Sequence, residues 1–147
     1  MAKKYRPPEP SHKYVMLRGW MTNTEAWRDL DCIARCIYIE LSSRYAGRGT
    51  NNGRIPCSLR EIAAKLHCSK QTAMRALDRL QDHGFIVRMK RGNFNFKLRH
   101  AAEWRLTEFV CDVTGDLPTK DFTRWKKQTP VPSENSPGFR DGTARVS

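Results

Sequence analysis

The chain has 147 residues, with 27 Lys and Arg against 15 Asp and Glu, so its formal net charge is +12. This length fits one domain and excludes a large multidomain enzyme. The sequence has no run of about 18 apolar residues, which excludes a membrane-spanning helix, and its basic start lacks the apolar stretch of a secretory signal. We therefore expect a cytoplasmic protein, and the charge favours a polyanionic partner, nucleic acid first.

The two ends of the chain differ in composition from its middle. Residues 1–13 form a basic arm in which three prolines prevent a helix. Residues 128–147 are rich in Pro, Ser, Gly and Thr, which predicts a disordered tail. One folded domain is left between them, over residues 14–127.

Helix signals begin early in this domain. Thr24 or Thr22 can cap a short helix, and Asp31 can cap a longer one over about 32–45, where apolar residues recur every four positions. A glycine-rich loop over 47–53 follows and is predicted to be flexible. A very short strand comes after the loop.

Two further helices joined by a tight turn occupy the middle of the chain. Ser58 opens a capping box before a helix over about 59–66, and Ser69 caps a second helix over about 70–83 that stops at Gly84. A basic hairpin is predicted next, with strands over 85–90 and 94–100 around a turn at Arg91–Asn93. A further strand at Trp104–Leu106 and a last short helix capped by Thr119 complete the prediction.

This order is typical of a winged helix-turn-helix, whose second helix enters the major groove of DNA. We predict that Gln71 and Arg75 contact base edges, with Ser69 and Lys70 on phosphates. The alternative is a merely solvated helix face. The candidate DNA-binding residues are Ser69, Lys70, Gln71, Thr72, Met74, Arg75 and Arg79 in the helix, Arg88, Lys90, Arg91, Asn93 and Lys97 in the wing, and Lys3, Lys4 and Arg6 in the arm. For the arm, an unstructured solubilising end is the alternative.

The residues Ile62-Ala63, Cys68-Ser69, Thr72, Arg75, Leu77, Leu80 and Gly84-Phe85-Ile86 follow one known pattern. On them, the stretch 27–100 resembles the winged-helix family of bacterial regulators and of plasmid or phage replication proteins. Residues 102–115 look like an extension found in small proteins of plasmids, phages and integrative elements. The resemblance departs at Ala73, where valine is usual, and no ligand-binding domain follows.

The resemblance implies an α+β, mainly α fold: a three-helix core with a β-hairpin wing and a short C-terminal extension. It also implies a sequence-specific double-stranded DNA-binding protein, as a transcriptional regulator of a bacterial mobile element, plasmid or phage. A replication initiator or origin-binding protein is the alternative, and a protein- or RNA-binding winged helix is a third. A homodimer on repeated sites is expected, because one such domain reads few base pairs. Phe122 and Trp125 either form its contact or cap the domain.

Neither catalysis nor a cofactor is indicated. The glycine-rich loop lacks the Lys-Ser/Thr pair of a phosphate-binding loop, and the histidines have no recognisable nucleophile beside them. The five cysteines form no Cys-x-x-Cys pair, and we expect Cys32 and Cys36 to be small buried residues of one helix face. A zinc site with His67 or His100 would lack the usual ligand spacing, and no small-molecule ligand is evident.

Overall fold

The computed structural model describes residues 14–95 and 98–130, and between 93 and 99 it describes no side chain. The arm with Lys3, Lys4 and Arg6, the tail after residue 130, and Lys97 of the wing therefore lie outside the described residues.

The described residues form five α-helices: α1 Gly19–Thr22, α2 Glu25–Asp29, α3 Cys32–Arg44, α4 Leu59–Leu66 and α5 Lys70–Asp82. The side chains of Thr24, Asp31, Ser58 and Ser69 cap α2 to α5, each accepting a hydrogen bond from a backbone N–H three residues further on. These four caps confirm the sequence prediction. The short helix α1 has no side-chain cap, and its four residues gave no periodic signal.

Helices α3, α4 and α5 enclose the hydrophobic core. Helix α3 contributes Ala34, Ile37, Tyr38 and Leu41, α4 contributes Ile62 and Ala63, and α5 contributes Ala73, Ala76, Leu77 and Leu80. The small side chain of Ala73 is fully buried. The expected three-helix core is thus present, and it fixes which face of α5 is left to solvent.

A three-stranded antiparallel sheet covers the end of the core, in the order β1 (Ile55–Pro56), β5 (Glu103–Leu106) and β2 (Ile86–Lys90). The central strand is β5, whose Trp104 and Leu106 are buried beside Ile55 and Ile86. The expected α+β, mainly α, winged helix-turn-helix is confirmed.

The pairing of the wing differs from the prediction. Strand β2 pairs with β5, not with the predicted strand over 94–100. The described parts of that stretch belong to two other strands, β3 (Asn93–Asn95) and β4 (Leu98–His100), which pair with each other in a separate two-stranded ribbon. The physical reason is burial, because pairing with β5 brings Trp104 and Leu106 into the core. Arg91 is therefore not in a terminal turn, and it lies where the ribbon leaves the sheet.

The glycine-rich loop before β1 is anchored, contrary to the expected flexibility of its whole length. Asn52 and Gly53 are buried, and the side chain of Asn52 makes four hydrogen bonds to backbone groups between Leu106 and Val110. Gly53 has a φ of +103°, and a Cβ there would lie 2.9 Å from a methyl group of Val113. The segment after β5 therefore holds this loop in place.

Two smaller predictions were wrong. Cys32 and Cys36 are exposed, because α3 turns Ala34, Ile37, Tyr38 and Leu41 toward the core and the two cysteines lie on its other side. The last element is a 3₁₀ turn over Asp121–Thr123 rather than an α-helix capped by Thr119, since Lys120 precedes it in the left-handed conformation, with a φ of +45°.

Candidate nucleic-acid interface

Helix α5 presents one polar face to solvent, and that face begins at its N-terminus. Burial of Ala73, Leu77 and Leu80 against the other helices leaves the remaining positions outside. The exposed residues are Ser69, Lys70, Gln71, Thr72, Met74, Arg75, Asp78, Arg79 and Asp82. All the residues predicted from the sequence to contact DNA from this helix are thus accessible on one element.

The turn before α5 directs this N-terminus outward. His67 ends α4 in the left-handed conformation, with a φ of +51°, so the chain reverses within three residues. The hydroxyl of Ser69 then accepts a hydrogen bond from the backbone N–H of Thr72, at 3.1 Å. The other free N–H groups of this turn are available to an anion such as a phosphate.

Several cations on α5, on the strand that follows it and just after that strand have no carboxylate partner. Within the part of the chain that the structure describes, Lys70, Arg75, Arg88, Lys90 and Arg91 form no ion pair. Other surfaces carry both kinds of basic residue. Some are paired, such as Arg18 with Glu108, Arg44 with Glu40 and Glu61, and Arg105 with Asp116. Others form no ion pair among the described residues either: Arg28, Arg35, Arg48, Arg54, Arg60 and Lys120. Unpaired cations therefore occur on several surfaces, and this region differs in that four of them, Arg60, Lys70, Arg88 and Arg91, line one cleft.

Arg79 differs from the other cations of α5. Its guanidinium lies 3.6 Å from a carboxylate oxygen of Asp29 and 3.8 Å from one of Asp31. These contacts turn it toward the start of α3, two turns away from the N-terminal residues of α5. Its predicted contact with DNA would require these ion pairs to be exchanged.

A cleft of about 580 Å³ separates α4 and α5 from the wing. Lys70 and Met74 line it from the helix side, and Arg88 and Arg91 line it from the wing side. The Arg88 guanidinium lies 5.1 Å from the ring centroid of Trp104, a cation–π contact that orients it, and its Nε is buried without a hydrogen-bond partner among the described residues. The cleft is therefore lined by cations on both sides, and one of them, Arg88, is held in a fixed orientation.

The wing residues are distributed along the base of the ribbon. Lys90 is the last residue of β2 and pairs in register with Glu103, and Arg91 follows it, exposed. Asn93 is the first residue of β3, and Lys97 lies outside the described residues. The prediction that Lys90 and Arg91 form the tip of the wing is wrong, since β3 and β4 extend the chain beyond them.

A buried cluster at the opposite end of α5 was not predicted from the sequence. His83 is 6% exposed, its Nε2 lies 2.8 Å from Asp29 Oδ2, and its ring stacks on Trp125 at 4.1 Å between centroids. Phe122 is buried and stacks on Phe85. Trp125 and Phe122 thus pack within their own chain, which agrees with the capping alternative and leaves Phe122 no surface for a dimer contact.

The sequence also gave no sign of the buried pair formed by Tyr38 and Glu108. The Tyr38 hydroxyl donates a hydrogen bond of 2.9 Å to Glu108 Oε2, and burial raises the pKa of Tyr38 well above its usual value. Only the long-range fold brings these two residues together, 70 positions apart in the chain.

The cysteines do not assemble a metal centre within the described residues, where no group of three or more potential ligands occurs. Cys57 is buried, and that burial raises its pKa to about 11, so its thiol stays protonated at neutral pH. The longest helices within residues 14–95 and 98–130 have 13 residues, and none of the described helices could span a membrane.

The fold and this basic face define a protein of the winged-helix class. The model of the MarR family matches residues 52–93, which run from the loop before β1 through α4, α5 and β2 to the start of β3. MarR-family proteins are winged-helix DNA-binding transcription regulators, not enzymes, and this stretch of the chain is similar to them. No curated protein and no solved structure matches the chain significantly.

Proposed function

We propose that this protein is a sequence-specific regulator of transcription that binds double-stranded DNA with the face of α5. In this proposal the N-terminal turns of α5 enter the major groove, and the basic wing lies on the DNA backbone or in a minor groove. Gln71 and Arg75 contact base edges, because their side chains suit adenine and guanine respectively. Ser69 and Lys70 bind phosphates at the start of the helix.

The observation that supports this most is the grouping of unpaired cations around one cleft. Four cations line the cleft between α4, α5 and the wing, and none has a carboxylate partner among the described residues: Arg60, Lys70, Arg88 and Arg91. Positive side chains left uncompensated on two facing elements repel one another, and a bound phosphate backbone relieves that repulsion. The similarity of residues 52–93 to the MarR family supports the same conclusion.

Substitution of Arg75 tests the base contact. The change Arg75→Ala is expected to weaken binding to a selected duplex by roughly 1–3 kcal/mol and to relax the preference at one base pair. The matched control is Arg28→Ala, since Arg28 is exposed on α2 and also forms no ion pair among the described residues. If Arg75→Ala binds like the unchanged protein at every base pair, α5 is not the recognition helix.

We propose further that the regulator acts as a homodimer on repeated sites, in the cytoplasm, and that it belongs to a plasmid, phage or other bacterial mobile element. A dimer supplies the specificity that one domain lacks, and dimers are typical of MarR regulators. The mobile-element origin rests on the resemblance of residues 102–115. A footprint on the DNA of such an element tests the role, since protection of a promoter supports regulation and protection of tandem repeats at an origin supports replication.

A further inference from the structure

The exposed face of α5 carries one large apolar side chain among polar ones. Met74 is 45% exposed and is the only large apolar side chain exposed on α5. The other exposed residues of that helix are polar or charged: Lys70, Gln71, Thr72, Arg75, Asp78, Arg79 and Asp82. An apolar side chain gains free energy only when a partner covers it, whereas each neighbour is already well solvated.

The position of Met74 limits what that partner can be. Met74 follows Lys70 by one helical turn, so the two side chains form one row along the cleft side of α5, and both line the cleft. Gln71 and Arg75 form the adjacent row. When α5 lies in the major groove, the second row meets hydrogen-bonding base edges, and Met74 meets the groove beside them.

The major groove offers a single apolar group, the C5 methyl of thymine. We propose that Met74 recognises the methyl group of one thymine and is a specificity-determining residue of this interface. This inference rests on the proposed function, because it requires α5 in the major groove. The unbranched thioether can adjust to the methyl group, and burying one methyl group corresponds to about a fourfold gain in affinity.

Deoxyuridine lacks this methyl group and keeps every hydrogen-bonding atom of thymine, so it isolates the contact. The full-length chain is first used to select a duplex from a randomised pool. Each thymine of that duplex is then replaced by deoxyuridine, one at a time, and affinities are measured at constant salt. For the unchanged protein, we expect about a fourfold loss at one thymine.

Variants of the protein assign that loss to Met74. In Met74→Ala the loss at this thymine should disappear, and in Met74→Leu, which keeps an apolar side chain, it should remain. The control is Met16→Ala, since Met16 is 57% exposed but lies before α1, and it should behave like the unchanged protein. Thermal melts of all three variants confirm folding, which a half-exposed position on α5 should not disturb.

The outcomes separate this inference from the proposed function. If no duplex is enriched, the proposed function fails and the role of Met74 fails with it. If a duplex is enriched and depends on Arg75, but no deoxyuridine weakens binding, only the role of Met74 is wrong. That role is also wrong if the loss persists in Met74→Ala, because another residue then contacts the methyl group, and Met74 is an ordinary exposed side chain.

Discussion

The side chain of Asn52 forms two hydrogen bonds with the backbone of Leu106. Its Oδ1 accepts from the Leu106 N–H at 2.7 Å, and its Nδ2 donates to the Leu106 carbonyl at 3.0 Å. The same amide nitrogen also lies within hydrogen-bond distance of the carbonyls of Phe109 and Val110. Strand β1 pairs with β5 only at Glu103 and Trp104, so it does not reach Leu106. The buried side chain of Asn52 supplies the hydrogen bonds that a partner strand would otherwise make there.

The change Asn52→Ala is expected to lower the free energy of unfolding by about 3 kcal/mol. A buried N–H and several carbonyls lose their partner, and each unsatisfied group costs roughly 1–3 kcal/mol before the structure relaxes. Urea unfolding measures the difference. Asn23→Ala is the control, because Asn23 is exposed, and it should change stability by less than about 0.5 kcal/mol. Equal stability of the two variants would show that Asn52 is not an anchor.

Gly84 allows a close approach between the end of α5 and the segment after residue 120. Its φ is +82°, and a Cβ at this position would lie 2.7 Å from the Cβ of Asp121 and 2.8 Å from the backbone nitrogen of Phe122. Gly115 has a similar φ of +78°, but no atom lies within 4 Å of the place of its Cβ. A substitution at Gly115 therefore tests the cost of the left-handed conformation alone, whereas one at Gly84 adds the cost of steric overlap.

We expect Gly115→Ala to cost about 1–2 kcal/mol, the value for an L-residue in the left-handed region. Gly84→Ala should cost at least twice as much, because backbone atoms must move as well. Thermal or urea unfolding of both variants measures the two losses. A loss in Gly84→Ala no larger than that in Gly115→Ala would mean that the segment around Phe122 is not packed against the end of α5.

Local signals in the sequence predicted helices α2 to α5, but they did not predict α1 or which strands pair over long distances. Ser58 and Ser69 start α4 and α5 because a capping side chain acts on an N–H only three residues away. The outward face of α5 followed from the same short periodicity. The partner of β2 is decided instead by which strand buries Trp104 and Leu106, and two candidate strands follow it.

For the candidate DNA-binding site, too, the sequence predicted what depends on local periodicity and not what depends on distant residues. The basic residues of α5 are exposed as the sequence indicated, whereas the ion pairs of Arg79 depend on Asp29 and Asp31, which precede it by about 50 positions. The cation–π contact of Arg88 with Trp104 likewise requires the pairing of β2 with β5. Such contacts are set by the tertiary fold, and no local pattern contains them.

The pKa of the Asp29 carboxylate allows us to predict how the free energy of unfolding changes at low pH. The hydrogen bond from His83, and then Lys127, lower the pKa of Asp29 below its usual 3.8, although burial acts in the other direction. A carboxyl group whose pKa is lower in the folded than in the unfolded chain stabilises the fold at pH values above its pKa in the unfolded chain. That contribution is lost as the pH falls through the lower, folded value.

Asp29→Asn should therefore be less stable than the unchanged protein at pH 5.5, and the difference should narrow as the pH falls below about 3.8. Urea unfolding at several pH values measures it. The control is Asp78→Asn, because Asp78 is exposed on α5 and forms no ion pair among the described residues. A difference for Asp29→Asn that is constant across this pH range would contradict the expected linkage.

The last prediction concerns two cations at the base of the wing and the salt dependence of DNA binding. Lys90 ends β2, where it pairs in register with Glu103 of β5, and Arg91, the next residue, lines the cleft. Cations at this place contact phosphates rather than bases, and each phosphate contact contributes about 0.9 to the slope of log affinity against log salt. The double variant Lys90→Gln/Arg91→Gln should reduce this slope by about two. It should weaken specific and non-specific duplexes alike, since phosphates carry no sequence information.

A second double variant, Lys126→Gln/Lys127→Gln, serves as the control. It removes the same charge near Glu25 and Asp29, by the far end of α5, and should leave the slope of log affinity against log salt unchanged. An equal reduction in both variants would show that net charge alone, and not a wing placed on the backbone, produces the salt dependence.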